Sequence, residues 1–150
     1  MVFEHDFVRF PELTNKQLQE HIQSPHPQIT ADIMVEVVKV IDGDTIRVKW
    51  KRREFDFPVR FLGINAPEMS EGGQESQRYL KGVIEGEIVI LKIDKNQRVG
   101  KYGRLLARVM SRGLDMGEMM IRLGLATNFE SRNQGKIPNI NKEIMLSKWF

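Results

Sequence analysis

Asp42 and Asp44 flank a glycine, and Arg60, Glu68 and Arg104 follow them along the chain. Together these side chains are what is needed to hold a cation beside a phosphodiester. Carboxylate oxygens bind hard cations. The planar fork of arginine matches phosphate oxygens two at a time. A carboxylate left over can take a proton from water. The groups lie in three segments: Ile41-Asp42-Gly43-Asp44-Thr45, Arg60-Phe61-Leu62-Gly63-Ile64-Asn65-Ala66-Pro67-Glu68 and Lys101-Tyr102-Gly103-Arg104. In an extended backbone Asp42 and Asp44 point the same way and concentrate negative charge at a strand end. Taken alone, the pair is an ordinary Asp-Gly turn, and Glu68 after Pro67 is a solvated loop carboxylate. Arg60, set among Val59, Phe61 and Leu62, needs a partner, because a buried unpaired charge is costly. Asp44 or Glu68 would serve until a phosphate displaced it.

The elements that must position these groups are mostly short strands. Residues 35–41 are rich in β-branched and apolar residues. Over 45–51, Ile46, Val48 and Trp50 alternate with Arg47, Lys49 and Lys51, the period of a half-buried strand. Asp42-Gly43-Asp44 lies between these two runs as a tight hairpin turn. Residues 55–62, 88–93 and 104–110 predict the third, fourth and fifth strands. Helical spacing of Tyr79, Leu80 and Val83 predicts a helix over 75–84. Asp115-Met116-Gly117-Glu118 opens another with a capping box, and it ends before Gly124. Residues 139–150 predict a last helix, with Ile140, Ile144 and Trp149 along one stripe. Five short strands with about three helices predict a mainly β fold with helices (α+β), a small Greek-key barrel.

The first thirty-two residues stand apart from this pattern, giving an arm over 1–32 and a barrel domain over 33–150. In the arm, Thr14 caps a short run of helix formers, and Ser24-Pro25-His26-Pro27 stops it. Phe3, Phe7 and Phe10 are candidates to staple the arm to the core. Loop 69–74 is expected to be a flexible connection.

A chain of 150 residues supports one domain with a genuine core. Its 41% hydrophobic and 29% charged residues are those of a soluble globular protein. The formal charge of +3 agrees with a polyanionic partner without requiring one. The absence of cysteine excludes disulfides and thiolate metal sites. His5, His21 and His26 lack ligand-like spacing, which argues against a zinc or histidine-based site. Residues 1–10 have neither the basic start nor the apolar run of a secretory signal. No window is long and apolar enough to span a membrane. A cytoplasmic protein is the resulting expectation.

From about residue 33 to 129 the chain resembles the staphylococcal nuclease (thermonuclease) family. The phrases that carry the resemblance are Val-Ile-Asp-Gly-Asp-Thr at 40–45, Arg60 with Pro67-Glu68, Asp94-Lys95-Asn96-Gln97-Arg98 leading into Lys101-Tyr102-Gly103-Arg104, and Arg122-Leu123-Gly124-Leu125-Ala126. The resemblance implies an oligonucleotide/oligosaccharide-binding (OB) barrel and a calcium-dependent nuclease acting on DNA, RNA or both and leaving 3′-phosphate ends. It implies that Asp44 and the Ala66 backbone carbonyl are metal ligands, with Asp42 a carboxylate close behind them. Glu68 corresponds to the general base, Arg60 and Arg104 to phosphate-binding arginines, and Lys101 and Tyr102 to nucleotide contacts. Phe129 falls near a tyrosine of the family's nucleotide pocket. At position 65 the family commonly has an aspartate ligand. Asn65 retains a ligating oxygen without the charge, which implies weakened cation affinity or an altered preference among calcium and its competitors. The rival reading is a non-catalytic nucleic-acid-binding barrel of the same family, supported only by Asn65.

Overall fold

The computed structural model describes residues 11–19, 26–100 and 103–128. A short helix, α1 (Asn15–Gln19), precedes strands β1 (Ile33–Asp42), β2 (Thr45–Lys49), β3 (Phe57–Phe61) and the two-residue β4 (Ile64–Asn65). A 3₁₀ turn (Met69–Glu71) leads into α2 (Gly73–Ile84), then β5 (Ile88–Lys92), β6 (Leu105–Ser111), β7 (Leu114–Asp115), α3 (Met116–Arg122) and β8 (Thr127–Asn128). The long strands are ordered β3-β2-β1-β5-β6, and β3 also pairs with β6 in parallel, closing a five-stranded barrel. This is the OB topology expected from the sequence.

Alternation explains which residues enter the barrel. Ile46 and Val48 of β2, Val59 of β3, Val89 and Leu91 of β5, and Leu105, Ala107 and Val109 of β6 are buried. Each fully buried aliphatic side chain contributes roughly 1.5–3 kcal/mol. Strand β1 breaks the pattern. Its register against β2 shifts between Val37 and Lys39 and again between Val40 and Asp42. Such bulges bend a strand and turn extra residues outward. Val35, Val37 and Val40 face the core, while Val38 and Ile41 are exposed.

Two helices close the ends of the core. Leu80 and Ile84 of α2, and Met116 and Met120 of α3, are fully buried. The Asp115 carboxylate accepts from the Glu118 N–H at 3.1 Å, which caps α3 as its sequence predicts. The predicted helix over 139–150 and the Phe3, Phe7 and Phe10 staple lie outside the described residues.

The arm is fastened by charge. Thr14 and Gln17 form a reciprocal capping box on α1: Thr14 Oγ1 accepts from Gln17 N, and Gln17 Oε1 accepts from Thr14 N. Just before it, Glu12 is held between two arginines of the barrel. Arg53 Nη2 meets Glu12 Oε1 at 2.6 Å, and Arg98 Nη2 meets Glu12 Oε2 at 3.0 Å. The Arg53 guanidinium also stacks 4.4 Å over the Phe57 ring. Burial lowers the Arg98 pKa from its ordinary value, and the Glu12 charge opposes that shift. Leu13 and Ile29 bury beside this cluster.

Candidate active site

The β1–β2 turn, the strand β3 and the segment after β4 meet at one place. Phe61 N donates to the Asp44 carbonyl (2.8 Å), so the turn is tied to the end of β3 through backbone. The Asp42 carboxylate accepts from the Asp44 N–H at 3.0 Å, a local bond that sets the turn. Gly43 permits the approach of the other segments: a Cβ there would lie 2.7 Å from the Cβ of both Ala66 and Ser76.

The Asp44 side chain is the hub. It is nearly buried, and Ala66 N donates to its Oδ2 at 2.7 Å while Thr45 Oγ1 donates to Oδ1 at 3.0 Å. Arg60 Nη2 approaches Oδ2 to 3.3 Å. The same Nη2 donates to Asn65 Oδ1 at 2.5 Å, and Nη1 donates to the carbonyls of Ile64 (2.9 Å) and Phe61 (3.1 Å). Val59 and Phe61 enter the core, so Arg60 emerges on the other face of β3, where this ring of oxygens receives it. Burial raises the Asp44 carboxyl from 3.8 to about 6. A hydrogen bond shared with the Asp42 carboxyl adds to that rise, while Arg60 and the Ala66 N–H oppose it.

Asn65 is positioned by an element too short for a sequence pattern to reveal. β4 pairs with β8 through Ile64–Asn128 and Asn65–Thr127. β8 is held in turn by Ser76, whose hydroxyl donates to the Leu125 carbonyl at 2.6 Å. Gly43 belongs to the Asp-Gly-Asp phrase, whereas Ser76 and Thr127 support the site without any local phrase that marks them.

Glu68 lies two residues beyond Ala66, exposed, at the start of the 3₁₀ turn. The expected flexible loop over 69–74 is instead ordered. Glu71 N and Gly73 N both donate to the Glu68 carbonyl, at 2.8 and 2.9 Å. A Cβ at residue 73 would overlap the Pro67 carbonyl and lie 2.7 Å from the Glu68 carbonyl oxygen. Gly73 thus lets α2 begin directly against the backbone of Glu68.

Arg104 precedes β6. Leu106 pairs with Arg60 in the parallel β3–β6 register, and Arg104 lies two residues before Leu106. By strand alternation the two arginines share a face. Asp42, Asp44, Arg60, Asn65 and Ala66 are therefore brought together, with Glu68 and Arg104 on adjoining segments. Lys101, Tyr102 and Phe129 lie outside the described residues.

The donor chemistry suits a hard cation. Asp44, Asp42, the Asn65 amide and the Ala66 carbonyl offer only oxygen. Among the described residues no three Asp, Glu, His or Cys side chains converge. A cation here would depend on two carboxylates and neutral oxygens, and it would share Asp44 and Asn65 with Arg60. No helix among the described residues is long and apolar enough to cross a membrane.

Comparison with known proteins identifies the family. The family described as staphylococcal nuclease homologue matches residues 58–145. An uncharacterized endonuclease of Escherichia coli O157:H7 is 34% identical over 125 residues, covering 81% of this chain and 78% of that protein. Endonuclease YncB of Bacillus subtilis (strain 168) is 30% identical over 118 residues, which are 73% of this chain and 55% of its own. The chain belongs to the staphylococcal nuclease family.

Proposed function

We propose that this protein is a nuclease that hydrolyses phosphodiester bonds of DNA, RNA or both with little sequence discrimination. The observation that carries the reading is the convergence of Arg60, Asp44 and Asn65 in one largely buried cluster, in a family whose relatives above are named endonucleases. Backbone cleavage needs no reading of base edges, which suits a site built from charge and backbone oxygens. The nuclease domain spans 33–150, with 1–32 as an accessory arm.

Glu68 takes the proton from the attacking water, a role worth about 10²–10⁴ in rate when the base is well placed. Arg60 and Arg104 neutralise the phosphoryl oxygens as charge develops on them. Phosphate entering the site replaces Asp44 and Asn65 as the partner of the Arg60 fork. A divalent cation, calcium by family resemblance, would be held by Asp44, Asn65 and the Ala66 carbonyl with Asp42 behind, and it would supply positive charge beside the phosphate. Lys101 and Tyr102 would contact the terminal phosphate and the base-sugar region. The bond broken is the one to the 5′ oxygen, leaving 3′-phosphate ends.

Cleavage of a quenched single-stranded DNA by wild type and Glu68→Gln, titrated with calcium from a chelated start, tests this reading. Calcium-dependent cleavage that collapses in Glu68→Gln while substrate binding persists is the expected result. The neutral Asn65 in the donor set favours one alternative, a nucleic-acid-binding barrel with a retired site. Tight binding without cleavage under any divalent ion would establish that alternative instead.

A further inference from the structure

Arg98 begins the hairpin whose returning side carries Arg104. The Arg98 carbonyl accepts from Leu106 N at 2.8 Å, and Gly100 N donates to the Arg104 carbonyl at 2.7 Å. Val99 bridges Leu105 between them. The returning side is fixed to the site, because Leu105 and Leu106 pair with Val59 and Arg60. The outgoing side is held by something else. The Arg98 side chain, 3% exposed as a residue, is fastened beneath the arm. Its Nε donates to the Ile29 carbonyl (2.9 Å), its Nη1 to the Leu13 carbonyl (3.0 Å) and Asn15 Oδ1 (3.1 Å), and its Nη2 to Glu12 Oε2 (3.0 Å). Asn15 Nδ2 returns a bond to the Lys95 carbonyl at 2.7 Å.

We infer that Arg98 is a positioning residue for the nuclease reaction: clamped to the arm through Glu12, it fixes the hairpin that presents Arg104 beside Arg60. The inference rests on the reading of Arg104 as a phosphate-binding group. Arginine suits the task because one rigid fork reaches a carboxylate and two carbonyls in different directions, which an ammonium on a flexible stem does not. The buried charge of Glu12 holds the fork in place without competition from water. The arm thereby acts on the chemistry at a distance, touching neither substrate nor metal. Small displacements of a group that must meet a transition state are expensive: about 1 Å can cost on the order of 10²-fold.

A double-mutant cycle on the full chain separates positioning from simple folding support. Cleavage rates are compared for wild type, Arg98→Met, Arg104→Ala and the double variant, below the melting temperature of each. Arg98→Met alone should lower cleavage by roughly ten- to a hundred-fold. In the Arg104→Ala background it should cause no further loss, because the group it positions is gone. A folding defect alone would remove the same fraction of active enzyme in both backgrounds, so losses that multiply overturn the inference while leaving the Arg104 reading intact. Arg104→Ala with wild-type activity overturns the Arg104 reading and the inference with it. Should Arg98→Met not fold, the same cycle with Glu12→Gln, which keeps the side-chain size and removes the counter-charge, decides by the same criterion.

Discussion

Two clusters in this molecule join arginine to a carboxylate, one at the site and one under the arm, and water reaches them differently. At the site, the side chains of Arg60 and Asp44 are 15% and 9% exposed, and their nitrogen and oxygen stand 3.3 Å apart. Under the arm, Glu12, Arg53 and Arg98 are all at or below 2% exposed and their contacts are 2.6 and 3.0 Å. The sealed cluster cannot exchange partners without breaking the packing around it, so its charges hold structure. At the site one arginine is shared among a carboxylate, the Asn65 amide and two backbone carbonyls, at 2.5 to 3.3 Å, with part of its side chain open to water. An ion pair that looks alike in the two places is therefore sealed in one and partly open in the other, and only the partly open one suits the phosphate-binding role proposed above.

The widest separation between the clusters should appear in stability. Glu12→Gln leaves two guanidinium groups buried with no counter-charge, and removing one partner of such a pair typically costs about 3–5 kcal/mol. Denaturant melts of wild type and variant measure it. A loss below about 1 kcal/mol, the range of an exposed pair, would mean that water enters this cluster. The mirror experiment is Arg60→Ala, whose main effect should fall on turnover, by about 10²–10³-fold, with a smaller stability loss than Glu12→Gln. Near-wild-type cleavage by Arg60→Ala would remove its phosphate role, and a larger stability loss than Glu12→Gln would reverse the comparison.

The site was far more legible in the sequence than the fastener. Asp42, Asp44, Arg60, Asn65 and Glu68 fall within short local phrases, and alternation over 45–51 and part of 55–62 marked β2 and β3 beside them. Glu12, Arg53 and Arg98 are 41 and 86 residues apart, so no periodicity links them, and each in isolation resembles a solvated surface charge. The phenylalanines expected to attach the arm lie outside the described residues; within them the arm attaches through Glu12, Leu13 and Ile29. Strand β1 misled in a smaller way, because the adjacent Val37 and Val38 conceal where a bulge will turn Val38 outward. The two-residue strands β4 and β8 are too short for any pattern, although they set the backbone of Asn65.

Asn65 is the position where the open cluster can be tuned rather than broken. Its amide oxygen lies 2.5 Å from Arg60 Nη2 and shares that nitrogen with Asp44, so it already faces the positive charge at the site. Asn65→Asp conserves shape and adds one negative charge. A unit charge 4 Å from a divalent ion contributes about 2 kcal/mol even at the dielectric of water, which is more than about ten-fold in affinity. The added carboxylate also binds Arg60 more firmly, which offsets part of that gain and slows the exchange of this arginine onto phosphate. Asn65→Asp should therefore lower the calcium concentration needed for half-maximal cleavage by about ten-fold, with a smaller change in the rate at saturation. A calcium titration of cleavage in both forms measures the two quantities separately. An unshifted midpoint would place residue 65 outside the cation's coordination and leave it solely as a partner of Arg60.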